Sequence, residues 1–369
     1  MDNNKNRQLI IIAPTCPPGV CGVSDYAYKT ALALNKFYKS VKIGVEKIPS
    51  VIPDSPLQLT IAKWPRAIQQ NIKKSIPADV LLNYTPTSYA KQGVPVQLLL
   101  ALSRFKSATP GNRLFVFFHE TWDGSKNLKL HHQLRDHFTK SSVKYLSKLA
   151  DGITVVTKEQ KQKIESVTGD HKIHLSLVGA NILPANKDSG LNSSRKAGEW
   201  IVFGLAHTRL WTLQQYIPLL KELKARGLLV NIYAIGPDDN QYAQQEKNLI
   251  TENLGADILV QTGALKPEQV SKYMLSAQAA LVGQTADSLR KSGTFAALAA
   301  HAVPVICDAP ISLGEPPGTA IFRPQELMDD TSLLSSADGE KRRLMLHQWF
   351  WQTRSWEAIA ADTYHWMNS

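Results

Sequence analysis

The feature of this sequence that most constrains its fold is an alternation of short apolar strands, loops and helices along the whole chain. Residues 9–13 form a continuous apolar run, as expected for a parallel strand covered on both faces. A loop rich in glycine and proline follows at 14–22, and then a helical pattern at 24–37 with Ser24 as its predicted N-cap residue. This alternation predicts an α/β fold built on doubly wound parallel sheets.

The alternation occurs in two halves, separated by a polar stretch. At 184–199 the chain is rich in Ser, Asn and Gly and has no periodicity, which is typical of an interdomain linker. Strands in the first half are predicted near 41–45, 80–83, 114–119 and 152–157. Strands in the second half are predicted near 200–203, 230–235, 258–261, 279–282 and 305–307. At 369 residues the chain is long enough for two Rossmann-like domains, predicted at 1–183 and 200–345.

Charge is distributed unevenly between the halves. Residues 1–198 contain 28 Lys and Arg against 13 Asp and Glu, a net charge of +15, whereas the remainder contains 14 against 18, a net charge of −4. A basic half indicates an anionic partner, such as a lipid headgroup surface or an anionic acceptor; the alternative is a solvated surface kept soluble by lysine. Nucleic acid is not expected, because the lysines are not interleaved with aromatic residues and no recognised binding motif is present.

Composition also bears on where the protein works. The longest apolar run without charge, 94–103, is well short of the ~20 residues that cross a bilayer, and the run at 9–13 is too short for a signal-peptide core. The three cysteines, an odd number, disfavour a disulfide framework. We therefore expect a cytoplasmic protein, with peripheral contact to the inner face of the membrane through the basic half.

The first candidate binding site is the loop after the first strand. Ligands of open α/β sheets bind at the carboxyl ends of the strands, where helix N-termini present N–H groups to anions. Gly22 would let a ligand approach the backbone closely, and Val23, Ser24 and Asp25 follow at the start of a helix. A plain structural turn is the alternative for this loop.

Two further candidate sites lie at the ends of later strands in the first half. His119 and Glu120 leave the most hydrophobic predicted strand, where they could hydrogen-bond sugar hydroxyls or exchange protons. The alternative is a histidine held only by local backbone bonds. Asn181 lies in a turn just before the polar stretch.

The fourth candidate site, 287–295, is the most informative. Its polar residues Asp287, Ser288, Arg290, Lys291, Ser292, Gly293 and Thr294 lead into an alanine-rich helix. Cations, hydroxyls and free N–H groups at a helix start are well suited to a pyrophosphate. A basic, solvated turn is the alternative. The sequence has no metal-ligand spacing, so no bound metal is expected. It has neither a nucleophile elbow nor a P-loop, which argues against a serine hydrolase of that fold and a P-loop NTPase.

Taken together, these segments resemble the retaining GT-B glycosyltransferases of family 4, also described as glycosyl transferases group 1. The resemblance spans nearly the whole chain. The matching segments are the glycine loop 17–26, His119-Glu120, the strand end 155–157, Gly236-Pro237-Asp238, the loop 263–269, the basic segment 287–295 and Arg354-Ser355-Trp356 with Tyr364. It implies an N-terminal acceptor domain and a C-terminal nucleotide-sugar donor domain facing a central cleft, and a C-terminal helix, 346–369, that crosses back to pack on the N-terminal domain.

The resemblance also implies a set of site residues. The expected diphosphate-binding residues are Gly22, Arg209, Arg290, Lys291, Ser292, Gly293 and Thr294. The expected nucleoside- and sugar-binding residues are Gly236, Asp287 and Ser288. The expected acceptor-side residues are Val23, Ser24, Asp25 and Asn181, and the expected catalytic residues are His119 and Glu120. No cofactor is implied beyond the nucleotide-sugar co-substrate, and the acceptor would be a glycan, lipid-linked or anionic molecule.

The sequence departs from the family at one important place. Most members have two glutamates eight positions apart, and alignment on Pro304-Val305 puts Leu289 and Ala297 at those positions. The segment instead resembles a subgroup variant, here with Ala302 where glycine is usual. A hexosyltransferase that works with retention and without metal is the leading hypothesis. The alternatives are a sugar-nucleotide epimerase or hydrolase, and a catalytically inactive homologue that acts as a binding subunit.

Overall fold

The computed structural model describes residues 7–17, 21–49, 59–74, 76–90, 94–122, 124, 130–169, 171–308 and 318–369. The chain forms two compact units. Unit 1 comprises Met1–Leu177 and Trp356–Ser369, and unit 2 comprises Val178–Ser355. Among the described residues, no helix combines the length and apolar character needed to span a bilayer.

Unit 1 is built on a parallel sheet. Its described strands are β1 (Gln8–Ala13), β2 (Ser40–Val45), β3 (Thr60–Lys63), β4 (Ala78–Tyr84), β5 (Arg113–Phe118), β6 (Gly152–Val155) and β7 (Ile173–Leu175). Its helices in this part of the chain are α1 (Gly22–Leu34), α2 (Trp64–Lys74), α3 (Val96–Ala108), α4 (Leu130–Leu149) and α5 (Lys158–Thr168). The strands lie in the order β3-β2-β1-β4-β5-β6-β7, so the direction of winding reverses at β1.

The two faces of this sheet are covered by different helices, as β5 shows. Leu114, Val116 and Phe118 belong to one buried cluster that also contains residues of α2, α3, α4 and α5. The alternate residues point the other way, because successive side chains of a strand alternate between faces. Phe117 packs edge-on against Tyr26 of α1, with the ring centroids 4.9 Å apart. Right-handed crossovers from a sheet that reverses at β1 produce this arrangement.

Unit 2 repeats the plan with a smaller sheet. Its described strands are β8 (Lys196–Phe203), β9 (Asn231–Ile235), β10 (Leu259–Gly263), β11 (Ala277–Leu281) and β12 (Val305–Ile306). Its helices are α6 (Ala206–Ala225), α7 (Asn240–Leu254), α8 (Pro267–Ser276), α9 (Ala286–Arg290), α10 (Gly293–Ala300), α11 (Pro324–Asp329) and α12 (Ala337–Thr353). The strand order is β10-β9-β8-β11-β12, and all pairs are parallel. The predicted class, α/β with two doubly wound parallel sheets, is confirmed.

The last helix, α13 (Trp356–Met367), returns to unit 1. It packs on α1 and on the β5 face opposite α2–α5. Trp356 lies edge-on to Tyr26 at 5.4 Å, and Trp366 lies edge-on to Phe115 at 5.4 Å between ring centroids. Phe37 stacks on Tyr364 at 4.5 Å. These aromatic pairs complete the core on that face of unit 1.

The limits of the units differ from the predicted domains at two places. The polar stretch 184–199 is packed into unit 2: a short 3₁₀ helix covers Lys187–Gly190, and β8 begins at Lys196. Arg195 donates to four carbonyl oxygens of unit 2, including that of Ala302 at 2.6 Å, which explains why a polar segment is ordered there. Residues 346–353 continue α12 in unit 2, and only the chain from Trp356 onward joins unit 1.

Two edge strands of unit 1, β3 and β7, are missing from the sequence prediction. Both are short, and their side chains are only partly buried. A strand at the edge of a sheet has fewer apolar neighbours, so its sequence carries little of the pattern by which a strand is predicted.

Candidate functional site

The best-defined candidate site lies at the carboxyl ends of the unit 2 strands. The direction of winding reverses at β8: the chain adds β9 and β10 on one side of β8 and then β11 and β12 on the other. Ligands of open α/β sheets bind in the crevice at this switch point. The loops that leave β8 and β11 therefore border the candidate site, and each leads directly into a helix, α6 and α9 respectively.

The N-termini of the helices at this edge differ in capping. The N-cap residue of α6 is Leu205, which provides no side-chain hydrogen bond. Thr285 caps α9 by accepting from the Ser288 N–H, and Ser292 caps α10 by accepting from the Phe295 N–H at 3.0 Å. The first turn of a helix has N–H groups without intrahelical partners and a partial positive charge. At α6 the side chain of the N-cap residue does not compete with a ligand for those groups.

The basic segment predicted to bind diphosphate forms the turn between α9 and α10. Arg290 ends α9, Lys291 is exposed in the turn, and Gly293 begins α10. Gly293 and Thr294 are partly exposed, whereas Ser292 is buried and its hydroxyl is used in the cap. The structure thus brings Arg290, Lys291, Gly293 and the backbone of Thr294 together at one helix start. Ser292 has a capping role there.

A buried arginine that the sequence analysis did not include among the site residues holds this turn. Arg354 is fully buried and donates to the carbonyl oxygens of Leu289 at 3.1 Å and Arg290 at 2.7 Å, with a longer bond to Ser292 at 3.4 Å. Its Nε donates to the carbonyl of Val178 at 2.8 Å. A guanidinium has five N–H donors in a rigid fork, so one side chain fixes the backbone of the whole basic turn.

Arg209, predicted to contact phosphate, has a different role in the structure. Its side chain is completely buried, and all five N–H groups are directed at protein acceptors. It bonds both oxygens of Glu246, one oxygen of Asp238, and the carbonyls of Gly204 and Pro237. These partners lie on α7 and on the loops after β8 and β9. Arg209 therefore joins two loops of the site, and in this arrangement it has no N–H group left for a phosphate.

Gly236, predicted to contact the nucleoside, is buried at the junction of the same two loops. A Cβ atom at this position would lie 2.1 Å from the carbonyl oxygen of Gly204, so no other residue fits without moving the backbone. Its φ of 132° is also one that L-residues rarely adopt. The loops after β8 and β9 can approach each other closely because this residue is glycine.

The other two nucleoside-side residues lie in α9. Asp287 and Ser288 are partly exposed in its first turn. The Ser288 hydroxyl accepts from the Thr285 hydroxyl at 2.8 Å, so Ser288 takes part in the capping of α9. The two positions where most of the family has glutamate, Leu289 and Ala297, are buried in the apolar core of unit 2.

In unit 1, His119 follows β5 and is oriented by Asn83. Its Nε2 lies 2.9 Å from Oδ1 of Asn83, whose amide nitrogen donates to the carbonyl of Ile12 at 3.4 Å. Because the Asn83 nitrogen is the donor in that second bond, its oxygen accepts from the Nε2–H of His119. The ring stacks on Phe117 at 4.0 Å. Burial lowers the pKa of His119 to about 3, so the ring is neutral and Nδ1 is an acceptor.

This geometry limits what His119 can do chemically. A neutral imidazole with Nε2–H already bonded can accept a hydrogen bond at Nδ1 from a sugar hydroxyl. It cannot act as an imidazolium acid at physiological pH. Glu120, the other predicted catalytic residue, is exposed and lines a hollow of about 160 Å³ whose other lining residues include Thr87, Trp122, His132 and Arg135.

The predicted acceptor-side residues fall into both units. In unit 1, α1 begins at Gly22 with Cys21 as its N-cap residue, so the prediction of Ser24 as N-cap is wrong. Ser24 is buried, and its hydroxyl accepts from the N–H of Thr15 at 3.1 Å, which ties α1 to the loop after β1. The Ser24 hydroxyl, which the sequence pattern assigned to capping the helix, is therefore bonded to the loop after β1.

The neighbours of Ser24 remain accessible. Gly22 is exposed, with open space where a side chain would lie, and Val23 is partly exposed. Asp25 is also partly exposed, and burial raises its pKa, partly offset by the charge of Lys29. Asn181 is exposed in unit 2, and residues 18–20 of the glycine loop lie outside the described part of the chain. No group of three or more His, Cys, Asp or Glu able to hold a metal occurs among the described residues.

Comparisons by structure find several proteins of the same fold. Sucrose-phosphate synthase from Thermosynechococcus elongatus superposes with a TM-score of 0.64 at 16% identity, covering 98% of both chains. An α,α-trehalose-phosphate synthase (UDP-forming) from Burkholderia xenovorans gives 0.62 at 11% identity, covering 99% of this chain and 100% of that one. WaaG, a glycosyltransferase involved in lipopolysaccharide biosynthesis, gives 0.61 at 10% identity, covering 96% and 98%.

Comparisons by sequence find no match, either to a protein-family model or to a curated protein. At identities of 10 to 16% the structural likeness establishes the fold and nothing finer. The chain has two doubly wound parallel sheets and a last helix that rejoins the first unit, and it covers these proteins almost completely. The chain has the GT-B fold of nucleotide-sugar glycosyltransferases.

Proposed function

We propose that the protein is a retaining glycosyltransferase of family 4, a hexosyltransferase that transfers a sugar from a nucleotide-diphosphate sugar to an acceptor in glycan, lipid or polysaccharide biosynthesis. It would act in the cytoplasm without a metal cofactor. The observation that carries the proposal is the basic turn of unit 2, in which Arg290, Lys291 and the start of α10 lie together at the carboxyl edge of the sheet.

The chemistry required at this edge is stabilisation of a leaving group. The bond between C1 of the sugar and the phosphate oxygen breaks, a bond from C1 to the acceptor oxygen forms, and the acceptor proton ends on the departing diphosphate. Negative charge therefore develops on the diphosphate in the transition state. We expect Arg290, Lys291 and the N–H groups of Gly293 and Thr294 to receive this charge, and such preorganised donors are each worth about 3 kcal/mol of barrier.

In unit 1, His119 would orient the transferring sugar. Its neutral ring offers Nδ1 as an acceptor to a sugar hydroxyl, and Asn83 holds the ring in the tautomer that makes this possible. Glu120 and the acceptor-side residues Val23, Asp25 and Asn181 remain predicted contacts. Ser24 would act through the position of α1, since its hydroxyl is already bonded.

The experiment that tests the proposal is the double variant Arg290→Ala/Lys291→Ala. Turnover with a panel of UDP-, GDP-, ADP- and TDP-sugars should fall at least about a thousandfold, because two preorganised donors are lost. A matched double variant of exposed lysines elsewhere in unit 2, Lys272→Ala/Lys341→Ala, should keep full activity. Wild-type turnover in the Arg290/Lys291 variant, with an unchanged circular dichroism spectrum, would remove the proposed diphosphate site.

A second candidate function is supported by the buried apolar residues Leu289 and Ala297. A homologue without those carboxylates could bind partners as a subunit of a glycan-assembly complex and transfer nothing. Titration calorimetry with nucleoside diphosphates separates the two, since only the enzyme must bind one of them. Consumption of the donor when no acceptor is present would indicate an epimerase or a hydrolase instead.

A further inference from the structure

The outer surface of α2, α3 and α4 in unit 1 has an unusual composition. The three helices contain nine lysines and arginines but one acidic residue. Helix α5, which packs on the same face of the sheet, is different: its lysines alternate with glutamates, and Lys161–Glu165 and Lys163–Glu159 form pairs one turn apart. An ordinary solvated helix surface mixes both signs, as α5 does. The excess on α2–α4 therefore calls for a partner.

Large apolar side chains are exposed on the same helices. Val96 and Leu100 of α3 and Leu134, Phe138 and Tyr145 of α4 are each between 43% and 54% exposed. The α4 residues follow one another by four and seven positions, so they form a single stripe along that helix. Apolar residues at helical spacing, exposed beside lysine and arginine, are typical of a surface that docks on a partner.

All three helices belong to one side of unit 1. Their inner residues, such as Ile68, Leu102 and Leu146, lie in one buried cluster with the β4 and β5 side chains that face the same way. Their outer residues must therefore face away from the sheet on that side. A groove of about 260 Å³ between α2 and α3 opens there, lined by Ile72 and Leu100 and bordered by Arg104.

The charges on this side are available to a partner. Within the described residues, Lys106 of α3 pairs with Asp151, but no ion pair joins Arg66, Arg104 or Lys144 to a carboxylate. Counted over the two structural units, unit 1 has 25 Lys and Arg against 14 Asp and Glu, and unit 2 has 17 against 17. The net charge of +11 of the whole chain thus lies in unit 1.

We infer that the outer face of α2–α4 is a docking surface for a membrane that contains anionic lipids. The cations would meet the lipid phosphates and the apolar side chains would enter the interfacial region, a combination typical of peripheral membrane proteins. A soluble anionic polymer would use the cations but has no need of the Leu134–Phe138 stripe. A second copy of this chain would bring a like-charged face against it, which opposes association. The lipid surface is the occupant that uses both features.

The experiment is co-sedimentation of the full-length protein with vesicles of phosphatidylcholine alone or with 30% phosphatidylglycerol. We expect binding to the mixed vesicles, weak binding to the neutral ones, and release by salt. A lysine near an anionic surface contributes about fivefold to partitioning, so Lys144→Gln/Lys148→Gln should lower it more than tenfold. Leu134→Ser/Phe138→Ser should also lower it more than tenfold, because it removes the apolar contact.

A matched variant in unit 2, Lys341→Gln/Leu344→Ser, changes an exposed lysine and an exposed leucine on α12 and should bind vesicles like the wild type. Equal binding to neutral and mixed vesicles would overturn the inference. Wild-type binding to mixed vesicles by either α4 variant would also overturn it. If only the lysine variant loses binding, the cations act without the apolar stripe, which points to a soluble polyanion. A dimer in solution that only Leu134→Ser/Phe138→Ser dissociates would assign the face to a second copy.

This docking surface is independent of the proposed glycosyl transfer. The variant Arg290→Ala/Lys291→Ala alters only unit 2 and should sediment with mixed vesicles as the wild type does. Failure of catalysis and failure of membrane binding can therefore be told apart in the same set of proteins.

Discussion

The two sheets of this protein are wound in the same way but present different chemistry at their carboxyl ends. Unit 1 has the whole net charge of the chain, yet the residue oriented at the end of β5 is a histidine kept neutral by burial. Unit 2 has no net charge, yet Arg290 and Lys291 lie next to each other at the start of α10. If the proposed diphosphate site is correct, the net charge of a domain does not predict where it binds an anion.

The comparison indicates that the kind of anion a unit can bind depends more on where its cations lie relative to the strand ends than on how many cations it has. In unit 1, nine of the 25 Lys and Arg belong to α2–α4, whose outer side suits an extended anionic surface. In unit 2 two cations and a helix N-terminus act on one point, where they suit a small, highly charged ligand. Variants in each unit can test whether this division is correct.

The largest effect should come from replacing Arg354, which holds the basic turn without reaching its surface. Arg354→Met leaves the carbonyls of Leu289 and Arg290 without their partner. Each unsatisfied buried group costs about 1–3 kcal/mol, so the free energy of unfolding should fall by about 3–5 kcal/mol. Affinity for the nucleoside diphosphate, measured by titration calorimetry at a temperature where the variant is folded, should fall at least tenfold.

The control for a purely structural effect is Arg343→Met. Arg343 is also a largely buried arginine of unit 2, but its guanidinium donates to Gly190 and pairs with Glu340. This variant should lose stability while its nucleotide affinity stays as in the wild type. If both variants lose affinity equally, the turn does not depend on Arg354 in particular. The loss of affinity in both variants would then reflect only the lower stability of unit 2.

An intermediate effect is expected from acid, and it should appear in both units. Burial lowers the pKa of His119 in unit 1 to about 3 and that of His301 in unit 2 to about 4, against an ordinary value of 6.5. Between these values the unfolded chain binds more protons, so stability falls as pH drops below 6.5 and is unaffected by these groups above pH 7. For the fully buried His301, the loss at pH 5 is about 2 kcal/mol.

Urea unfolding at pH 5, 6, 7 and 8 measures this dependence. His301→Gln should flatten this dependence by removing the buried histidine of unit 2; where urea resolves two transitions, only one of them should change, which assigns it to unit 2. Greater stability at pH 5 than at pH 7 would show that neither histidine is buried in its neutral form. His119 could then act as a cation, and the contrast between the two strand ends would be lost.

The smallest effect concerns Ala302, on the turn behind α10. Its φ of 51° is in the left-handed region, which costs a residue with a Cβ about 1 kcal/mol. Ala302→Gly should raise the free energy of unfolding by about 0.5–1 kcal/mol and leave nucleotide affinity unchanged. Ala300→Gly, two residues earlier at the end of α10, should lower it by about 1 kcal/mol. Equal destabilisation by both would contradict the strain at Ala302.

The fold could be predicted because the central strands follow rules that depend only on local sequence. β1 and β5 are buried on both faces and are continuous apolar runs, so pattern alone identifies them. The basic turn before α10 could be identified in the same way. Its serine cap, glycine and alanine-rich helix lie within a dozen residues of each other.

The rest of the candidate site depends on contacts between distant residues. By its residue type and its place in the sequence, Arg209 is predicted to bind phosphate. In the structure it is bonded to Glu246, which lies 37 residues further along the chain. Arg354 lies 64 residues from Arg290, whose carbonyl it holds. Ser24 has the sequence of an N-cap, but its hydroxyl is taken by Thr15. In each case a hydrogen bond that the local pattern does not show outweighs the local preference.

The return of α13 to unit 1 has a consequence for the order in which the protein can form. Unit 1 begins the chain, but Trp356 and Trp366, which fill the core beside Tyr26 and Phe115, are translated only after every residue of unit 2. Unit 1 therefore cannot close over its aromatic face until all of unit 2 has been synthesised. Until then α1 and β5 display that face to the cell, where a chaperone could cover it.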